Sequence, residues 1–199
     1  MMALLSAVAF MCSGDSLECP RASSPIVVDG RLQELAWEEA PRASLKGPGL
    51  PAYVKSLWDE TYWYLAFVAE DTDVWATTLK ELPELLSEDC VGVLVDSIAV
   101  YLSPMNVVAD FKVHEGERLF GWNLPGFLSA TEISGTLNFP DRDSVWTAEI
   151  ALPWAELGGP PKTGEVRKIR LIRMDDGKEQ FWPSRDGFGE VVLKPMVGR

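Results

Sequence analysis

The sequence is poor in the residues on which most catalytic and metal centres depend. It has one histidine, His114, and three cysteines, Cys12, Cys19 and Cys90. It contains no H-E-x-x-H, C-x-x-C, G-x-G-x-x-G or G-x-S-x-G motif and no phosphate-binding loop. These absences argue against a zinc site, a nucleotide site and a serine-hydrolase triad. Three cysteines make no disulfide framework, and only a Cys19–Cys90 pair is left open.

Basic residues and long apolar runs are also few. The 199 residues carry 30 acidic side chains against 18 basic ones, which gives a formal net charge of -12. Such a surface repels nucleic acid and anionic membranes, which argues against both as partners, and we expect no nucleic-acid partner. It admits a cation or a neutral ligand, or it serves only solubility. The apolar run at residues 3–11 is too short to cross a bilayer, and no other segment is a candidate span.

Residues 1–19 are predicted as an N-terminal leader and residues 20–199 as one domain. The run at residues 3–11 has the length of a secretory signal core, although no Lys or Arg precedes it. A mis-started or truncated leader is the alternative, and Cys12 raises the idea of lipid attachment. We expect an extracellular or periplasmic location.

Residues 54–70 give the strongest secondary-structure signal. Two apolar stretches flank the polar turn Asp59-Glu60-Thr61, and aromatic residues alternate along the second stretch. Trp63 and Tyr64 point to opposite sides, and both sides are apolar, so both faces should be covered. The segment predicts a hairpin in the middle of a β-sandwich.

The remaining segments also indicate strands of short, regular spacing. Short helices are expected at residues 31–40 and after Pro153. Residues 166–174 alternate basic and apolar side chains, which predicts an outer strand with one wet face. The fold class is therefore all-β, an antiparallel jelly-roll-like β-sandwich with one or two short helices.

Aromatic and acidic side chains supply the candidate binding residues. Trp75, Trp122 and Trp182 stand beside polar residues on loops or strand ends, as the aromatics of sugar sites do, or they simply pack at loop bases. Asp71 and Asp73, with Glu88 or Asp89, could offer calcium its hard oxygen ligands, although no EF-hand spacing is present. A glycosidase carboxylate pair is left open by the number of acids.

Five pieces of the chain, in this order and spacing, resemble the family 9 carbohydrate-binding modules. They are residues 20–37, 54–77, 87–96, 134–157 and 181–193. The resemblance implies a β-sandwich that binds sugars without catalysis, commonly joined to secreted glycoside hydrolases in polysaccharide breakdown, with structural calcium in some members.

The resemblance also implies where a sugar should bind, and the sequence departs from the family there. Leu86 stands where the family has a clamping tryptophan, and Gly92 where it has an acid. Tyr101 and Ser103 fall near the positions of the Arg and Asn that bond sugar hydroxyl groups in the family. The interval that holds the family's second clamping tryptophan is shortened in this sequence and is followed by Phe188. The remaining candidate ligand-binding residues are Trp75, Tyr101, Asn106, Trp182 and Arg185.

Two other functions compete with sugar binding. Leu86 and Gly92 fit a structural or adhesion sandwich that has lost the sugar site. Since related sandwiches hold haem between their sheets, a haem-binding relative is the other, with Met105, Lys112 and His114 as axial ligands.

Overall fold

A computed structural model describes residues 15–79, 84–115, 117–120, 122–139 and 142–196. Along the chain its strands are β1 (Ser16–Pro20), β2 (Arg42–Ser44), β3 (Ala52–Trp58), β4 (Tyr62–Glu70), β5 (Cys90–Val95), β6 (Ile98–Leu102), β7 (Val108–His114), β8 (Glu117–Phe120), β9 (Leu128–Ser134), β10 (Val145–Pro153), β11 (Val166–Asp175), β12 (Lys178–Trp182) and β13 (Gly189–Lys194). One short helix, α1 (Leu35–Glu39), and two 3-10 turns, Glu84–Ser87 and Trp154–Leu157, connect them.

Two sheets pack face to face. The smaller has the order β2-β3-β4-β10-β9, and the larger has the order β1-β13-β11-β5-β6-β7-β8, with β12 also paired to β11. The described strand pairs are antiparallel except for β1 with β13, which is parallel. The inner faces share one apolar core, so the predicted all-β sandwich is confirmed.

The predicted hairpin is confirmed as β3 and β4, with β4 at the centre of the smaller sheet. Asp59 fixes the turn, because its Oδ1 accepts hydrogen bonds from the backbone N–H groups of Thr61 and Tyr62, both at 2.7 Å. Trp63 faces the core and stacks on Trp154, with ring centroids 5.6 Å apart. Tyr64 lies on the opposite face in a second apolar cluster that includes α1 residues. Both faces are covered, as the alternation predicted.

The prediction that residues 166–174 form an outer strand is wrong, although one face of this strand, β11, does carry the exposed side chains of Val166 and Lys168. It lies inside the larger sheet, between β13 and β5. Arg173 is fully buried, because it shares the inward side of β11 with Ile169 and Leu171 at period two. Its charge is tolerated there because acceptors from neighbouring segments surround the guanidinium group.

The predicted helix at residues 31–40 is shorter than expected, and the cysteine pair does not form. Only Leu35–Glu39 is helical, because Leu32 has a left-handed φ of 55° that no continuous α-helix accepts. Cys19 and Cys90 are both free and buried, in different apolar clusters. The Cys19–Cys90 disulfide that the sequence left open is therefore not formed.

Strand β1 begins inside the segment predicted as a leader. Its residues pair with β13, and Leu17 and Cys19 are fully buried in the core, so the sheet starts at Ser16 rather than at residue 20. Residues 1–14, which include Cys12 and the apolar run, lie outside the described residues. Among the described residues, no helix has the length and hydropathy needed to cross a membrane.

Candidate functional site

Two cavities lie on either side of the 3-10 turn Glu84–Ser87, since Leu86 lines one and Ser87 the other. The sheet-face cavity has a volume of about 330 Å³ and is lined chiefly by Leu86, Leu94, Tyr101, Phe111, Arg118 and Phe188. The acidic cavity has a volume of about 580 Å³ and is lined chiefly by Asp71, Asp73, Trp75, Asp89, Asp175 and Asp176.

The floor of the sheet-face cavity is the outer face of the larger sheet. Tyr101 on β6 and Phe111 on β7 stack there, with ring centroids 6.5 Å apart and planes 20° apart. Leu94 on β5 pairs with Ala99 on β6, which pairs in turn with Phe111, so these side chains share a face. The same outward face carries a separate apolar cluster. The cavity therefore has an apolar, aromatic floor.

Gly92 makes room for the Tyr101 ring. The two residues are cross-strand partners between β5 and β6. A Cβ on Gly92 would lie 2.6 Å from both Cδ1 and Cε1 of Tyr101, closer than such atoms approach. Any larger residue at position 92 would therefore displace the ring. Gly92 and Tyr101, two positions at which the sequence departs from the pattern it resembles, are therefore linked, because the tyrosine ring fits only where residue 92 has no side chain.

The polar groups of the sheet-face cavity stand at its rim. The Arg118 guanidinium lies 5.2 Å from the centre of the Phe111 ring, within cation–π range. Arg170 Nη2 donates a 2.7 Å hydrogen bond to Glu179. Burial raises the pKa of Tyr101 above its ordinary value, and the positive charges of Arg170 and Arg118 oppose this effect. Both arginines therefore act electrostatically on the tyrosine of the floor.

The acidic cavity brings together carboxylates from two loops and from the end of β11. Asp71, Asp89 and Asp175 each present an oxygen within 4.8 Å of the others. The buried Arg173 guanidinium contacts two of them, at 2.9 Å from Asp71 Oδ2 and 3.6 Å from Asp175 Oδ2. Asp89 Oδ2 accepts a 2.7 Å hydrogen bond from the backbone N–H of Trp75. The cluster is thus built into the fold by hydrogen bonds and one internal cation.

All four residues predicted as calcium ligands line the acidic cavity. Asp71 and Asp89 belong to the close cluster, and Asp73 and Glu88 line the same cavity. Their carboxylates fit the hard-oxygen preference of calcium. Arg173 already supplies a positive charge to two oxygens of the cluster. These aspartates would hold the ion, and calcium binding stays a prediction.

The stability of the protein is expected to fall as pH rises from about 4 to about 7. Burial raises the pKa of Asp89 from 3.8 to about 7. The negative charges of Asp71 and Asp175 add to this rise, and the hydrogen bond from the Trp75 N–H opposes it. In this window the folded chain holds a proton that the unfolded chain has released, so unfolding becomes easier as pH rises. Urea unfolding should show on the order of 2 kcal/mol more stability at about pH 5 than at about pH 8.

Asp89→Asn is the control for this pH dependence. Burial also raises the pKa of Glu149 to about 7, so the substitution should reduce the dependence without abolishing it. Equal unfolding free energies at the two pH values in the unmodified protein would contradict the prediction.

The five predicted ligand-binding residues do not meet in one site. Trp75 is 46% exposed and lines the acidic cavity, whereas Tyr101 lines the floor of the sheet-face cavity. Asn106 is exposed, and its Oδ1 accepts a hydrogen bond from Ser129 Oγ. Arg185 is exposed beside Glu179, at 3.5 Å. Trp182 is corrected to a core residue, because it is 2% exposed and cannot stack on a ligand from that position.

The residues considered for haem do not surround a cleft. Met105 is 37% exposed in the β6–β7 turn, and His114 is exposed at the far end of β7. Lys112 lies over the Trp122 ring at 5.3 Å, and Trp122 itself packs against the core. Two axial haem ligands would have to face each other across one cavity. Met105 and His114 lie near opposite ends of β7, so they do not form such a pair.

Phe111, Arg118 and Arg170 were missed as site residues. Alternation along β7 and β11 could have placed Phe111 and Arg170 on one face of each strand. It does not give the register between strands, which brings Arg170 beside Leu94 and Val113 beside Arg118. Only the assembled sheet joins these residues.

The fold and cavities together define a two-sheet β-sandwich with a ligand-sized cavity on the outer face of its larger sheet. No protein-family model matches the sequence, and no curated protein matches it. Solved structures do match. A candidate carbohydrate-binding protein from Bacteroides uniformis is 11% identical with a TM-score of 0.72, over 92% of this chain and 100% of that one.

A family 9 carbohydrate-binding module from Caldicellulosiruptor kristjanssonii, in complex with cellotriose, is 16% identical with a TM-score of 0.63. That match covers 92% of this chain and 95% of the module. A structure of such a module from the same organism with glucose is 15% identical with a TM-score of 0.59, over 92% and 98% of the two chains. This chain therefore has the fold of the family 9 carbohydrate-binding modules, as the sequence resemblance predicted.

Proposed function

We propose that this protein binds carbohydrate without catalysing a reaction, and that the sheet-face cavity is the sugar site. One observation carries the proposal. Leu86, Tyr101 and Phe188, which are distant in sequence, line this one cavity, and they stand at or beside the positions where the resemblance implies sugar contacts. The shared fold with modules solved in complex with cellotriose and glucose supports the same reading.

The chemistry of the cavity suits a sugar ring. The C–H faces of a pyranose pack on aromatic and apolar surfaces, and Phe188, 48% exposed, offers such a surface at the cavity wall. Asp96, Ser97, Arg118 and Arg170 line the same cavity and offer donors and acceptors to hydroxyl groups. A volume of about 330 Å³ lies at the small end of ligand sites, which favours one sugar unit over a long chain.

Phe188→Ala is expected to weaken sugar binding about tenfold, or about 1.4 kcal/mol, because it removes the exposed aromatic wall. Isothermal calorimetry of the unmodified protein against glucose, cello-oligosaccharides and a wider glycan panel should first show saturable binding. Phe139→Ala is the matched control, since Phe139 is 60% exposed and does not line the cavity. Trp75→Ala tests the acidic cavity and should leave the affinity unchanged.

The competing function is a structural or adhesion sandwich without a sugar site. The apolar floor favours it, because Gly92 leaves no acid there to accept sugar hydroxyl groups and the Tyr101 ring covers the position. If no glycan binds, or if Phe188→Ala binds as tightly as the unmodified protein, the sheet-face cavity is not a sugar site.

Within this proposal, the protein acts outside the cell or in the periplasm as an accessory to polysaccharide breakdown. The expected test is co-purification or genetic linkage with a glycoside hydrolase whose action on an insoluble glycan rises when this protein is present. An unchanged rate of release of soluble sugar would contradict the accessory role.

A further inference from the structure

The charges at the rim of the sheet-face cavity differ in sign from the charge of the protein as a whole. The chain carries a net charge of -12. The charged residues that line this cavity are Arg118, Arg170 and Asp96, two cations and one anion. The neighbouring acidic cavity has the opposite balance. A ligand that enters the sheet-face cavity therefore meets a local excess of positive charge.

Two of the three rim charges are compensated within the protein. Arg170 Nη2 lies 2.7 Å from Glu179 Oε1, and Asp96 Oδ2 lies 3.4 Å from Arg167 Nη1. Arg118 is different. It is exposed on β8 and contacts the face of the Phe111 ring, and no carboxylate among the described residues lies within ion-pair distance of it. Among the described residues, the Arg118 guanidinium is thus the one charge lining this cavity that has no ion-pair partner.

The floor residues of the sheet-face cavity include no acidic side chain that could balance the charge of Arg118. Tyr101 lies against Gly92, and a side chain at position 92 would collide with the ring at 2.6 Å. The floor groups Leu94, Tyr101 and Phe111 carry no charge at neutral pH. Asp96 and Ser97 can accept hydrogen bonds from the hydroxyl groups of any sugar that enters, whereas a carboxylate would in addition pair with the Arg118 guanidinium.

Arginine binds carboxylates with particular strength. Its planar group donates two parallel hydrogen bonds to the two oxygens, and these charge-assisted bonds are roughly twice as strong as neutral ones. A uronic acid combines such a carboxylate with the pyranose ring that an aromatic wall accepts.

We infer that the sheet-face cavity selects an acidic sugar, a uronic acid unit whose carboxylate pairs with Arg118, over a neutral sugar. This inference rests on the proposed function, because it names the class of sugar that the same cavity takes.

The test compares affinities for acidic and neutral sugars by calorimetry. Short oligogalacturonides and glucuronic acid are titrated beside glucose and cellotriose, with sodium acetate as a carboxylate that has no sugar ring. The uronic acids should bind at least tenfold more tightly than the neutral sugars and acetate. Raising sodium chloride from about 0.05 M to about 0.5 M should narrow this difference, because salt screens an exposed ion pair.

Arg118→Gln should reduce the ratio of acidic to neutral affinity at least tenfold, and Arg118→Lys should reduce it less because the positive charge remains. Arg142→Gln is the matched control. Arg142 is exposed and does not line the cavity, so this variant changes the net charge equally and should keep the ratio. Unfolding curves of all three variants check that the fold is retained.

Each outcome decides between the two claims. Equal binding of acidic and neutral sugars overturns the selectivity for acidic sugars and leaves the proposed function standing. Acetate binding as tightly as the uronic acids also overturns it, since the ring would then add nothing. A ratio that falls as much in Arg142→Gln as in Arg118→Gln removes the role of Arg118. Absence of binding to any sugar overturns both the inference and the proposed function.

Discussion

Arg173→Met is expected to lower the free energy of unfolding by about 3–5 kcal/mol. Arg173 is fully buried, and its guanidinium donates hydrogen bonds to Asp71 Oδ2 at 2.9 Å and to the Glu70 carbonyl at 2.8 Å. The Leu50 carbonyl and the Gln180 side chain accept two more, at 3.1 and 3.2 Å. Methionine fills similar volume but leaves the buried Asp71 carboxylate without its cation. Urea unfolding at neutral pH measures the loss.

Arg185→Met is the matched control for this substitution. Its side chain is 67% exposed and lies 3.5 Å from Glu179, so its loss should change stability by no more than about 0.5 kcal/mol. A double variant, Arg173→Met with Asp71→Asn, should lose less than the sum of the two single variants, because the uncompensated charge is gone. Additive losses would show that Arg173 acts by packing alone.

Trp182→Ala is expected to cost about 3–5 kcal/mol of stability, the usual range for removing a buried tryptophan. Trp182 is 2% exposed within the main core. Its ring lies against Gly189, where an added Cβ would stand 2.4 Å from Cη2 and 2.5 Å from Cζ3. Because the neighbouring backbone is in such close contact with the ring, alanine would leave a large void. The loss is measured by urea unfolding followed by far-UV circular dichroism.

Trp75→Ala gives the comparison, since Trp75 is 46% exposed and its loss should cost less than about 1 kcal/mol. A much larger loss of stability in Trp182→Ala than in Trp75→Ala would show that Trp182 acts in the core and not as a ligand contact. If Trp182→Ala kept its stability and lost sugar affinity, the tryptophan would be a ligand contact after all.

The two cavities differ in the charge of the residues that line them. The acidic cavity collects carboxylates around an internal arginine, and the sheet-face cavity holds an arginine with no carboxylate partner among the described residues. The turn Glu84–Ser87 borders both cavities, with Leu86 lining the sheet-face cavity and Ser87 the acidic one.

Local patterns predicted the elements that depend on near neighbours in the chain. The β3–β4 hairpin follows from period-two alternation and from Asp59, whose carboxylate bonds the N–H groups of its own turn. The alternation also predicted that both faces of β4 are covered, as the two apolar clusters confirm. The helix at residues 31–40 was overestimated because apolar spacing does not detect the left-handed backbone at Leu32.

The candidate site was only partly predictable. Trp75, Asp71 and Asp89 follow one another closely enough in loops to be joined in one hypothesis, and the structure brings them to one cavity. Trp182 was misread because a tryptophan beside polar residues in sequence has the same pattern whether its ring faces solvent or the core.

By itself, the sequence determined the fold class, the central hairpin and the acidic character of the protein, since these depend on composition and on contacts within a few residues. Only the tertiary structure decided that Arg173 is buried, that Trp182 belongs to the core and that Arg118 stands over an aromatic floor. The burial of Arg173 and the place of Arg170 beside Leu94 depend on the register between β11 and β5, two strands far apart in the chain. Register is fixed by the packing of whole sheets, which no local pattern records.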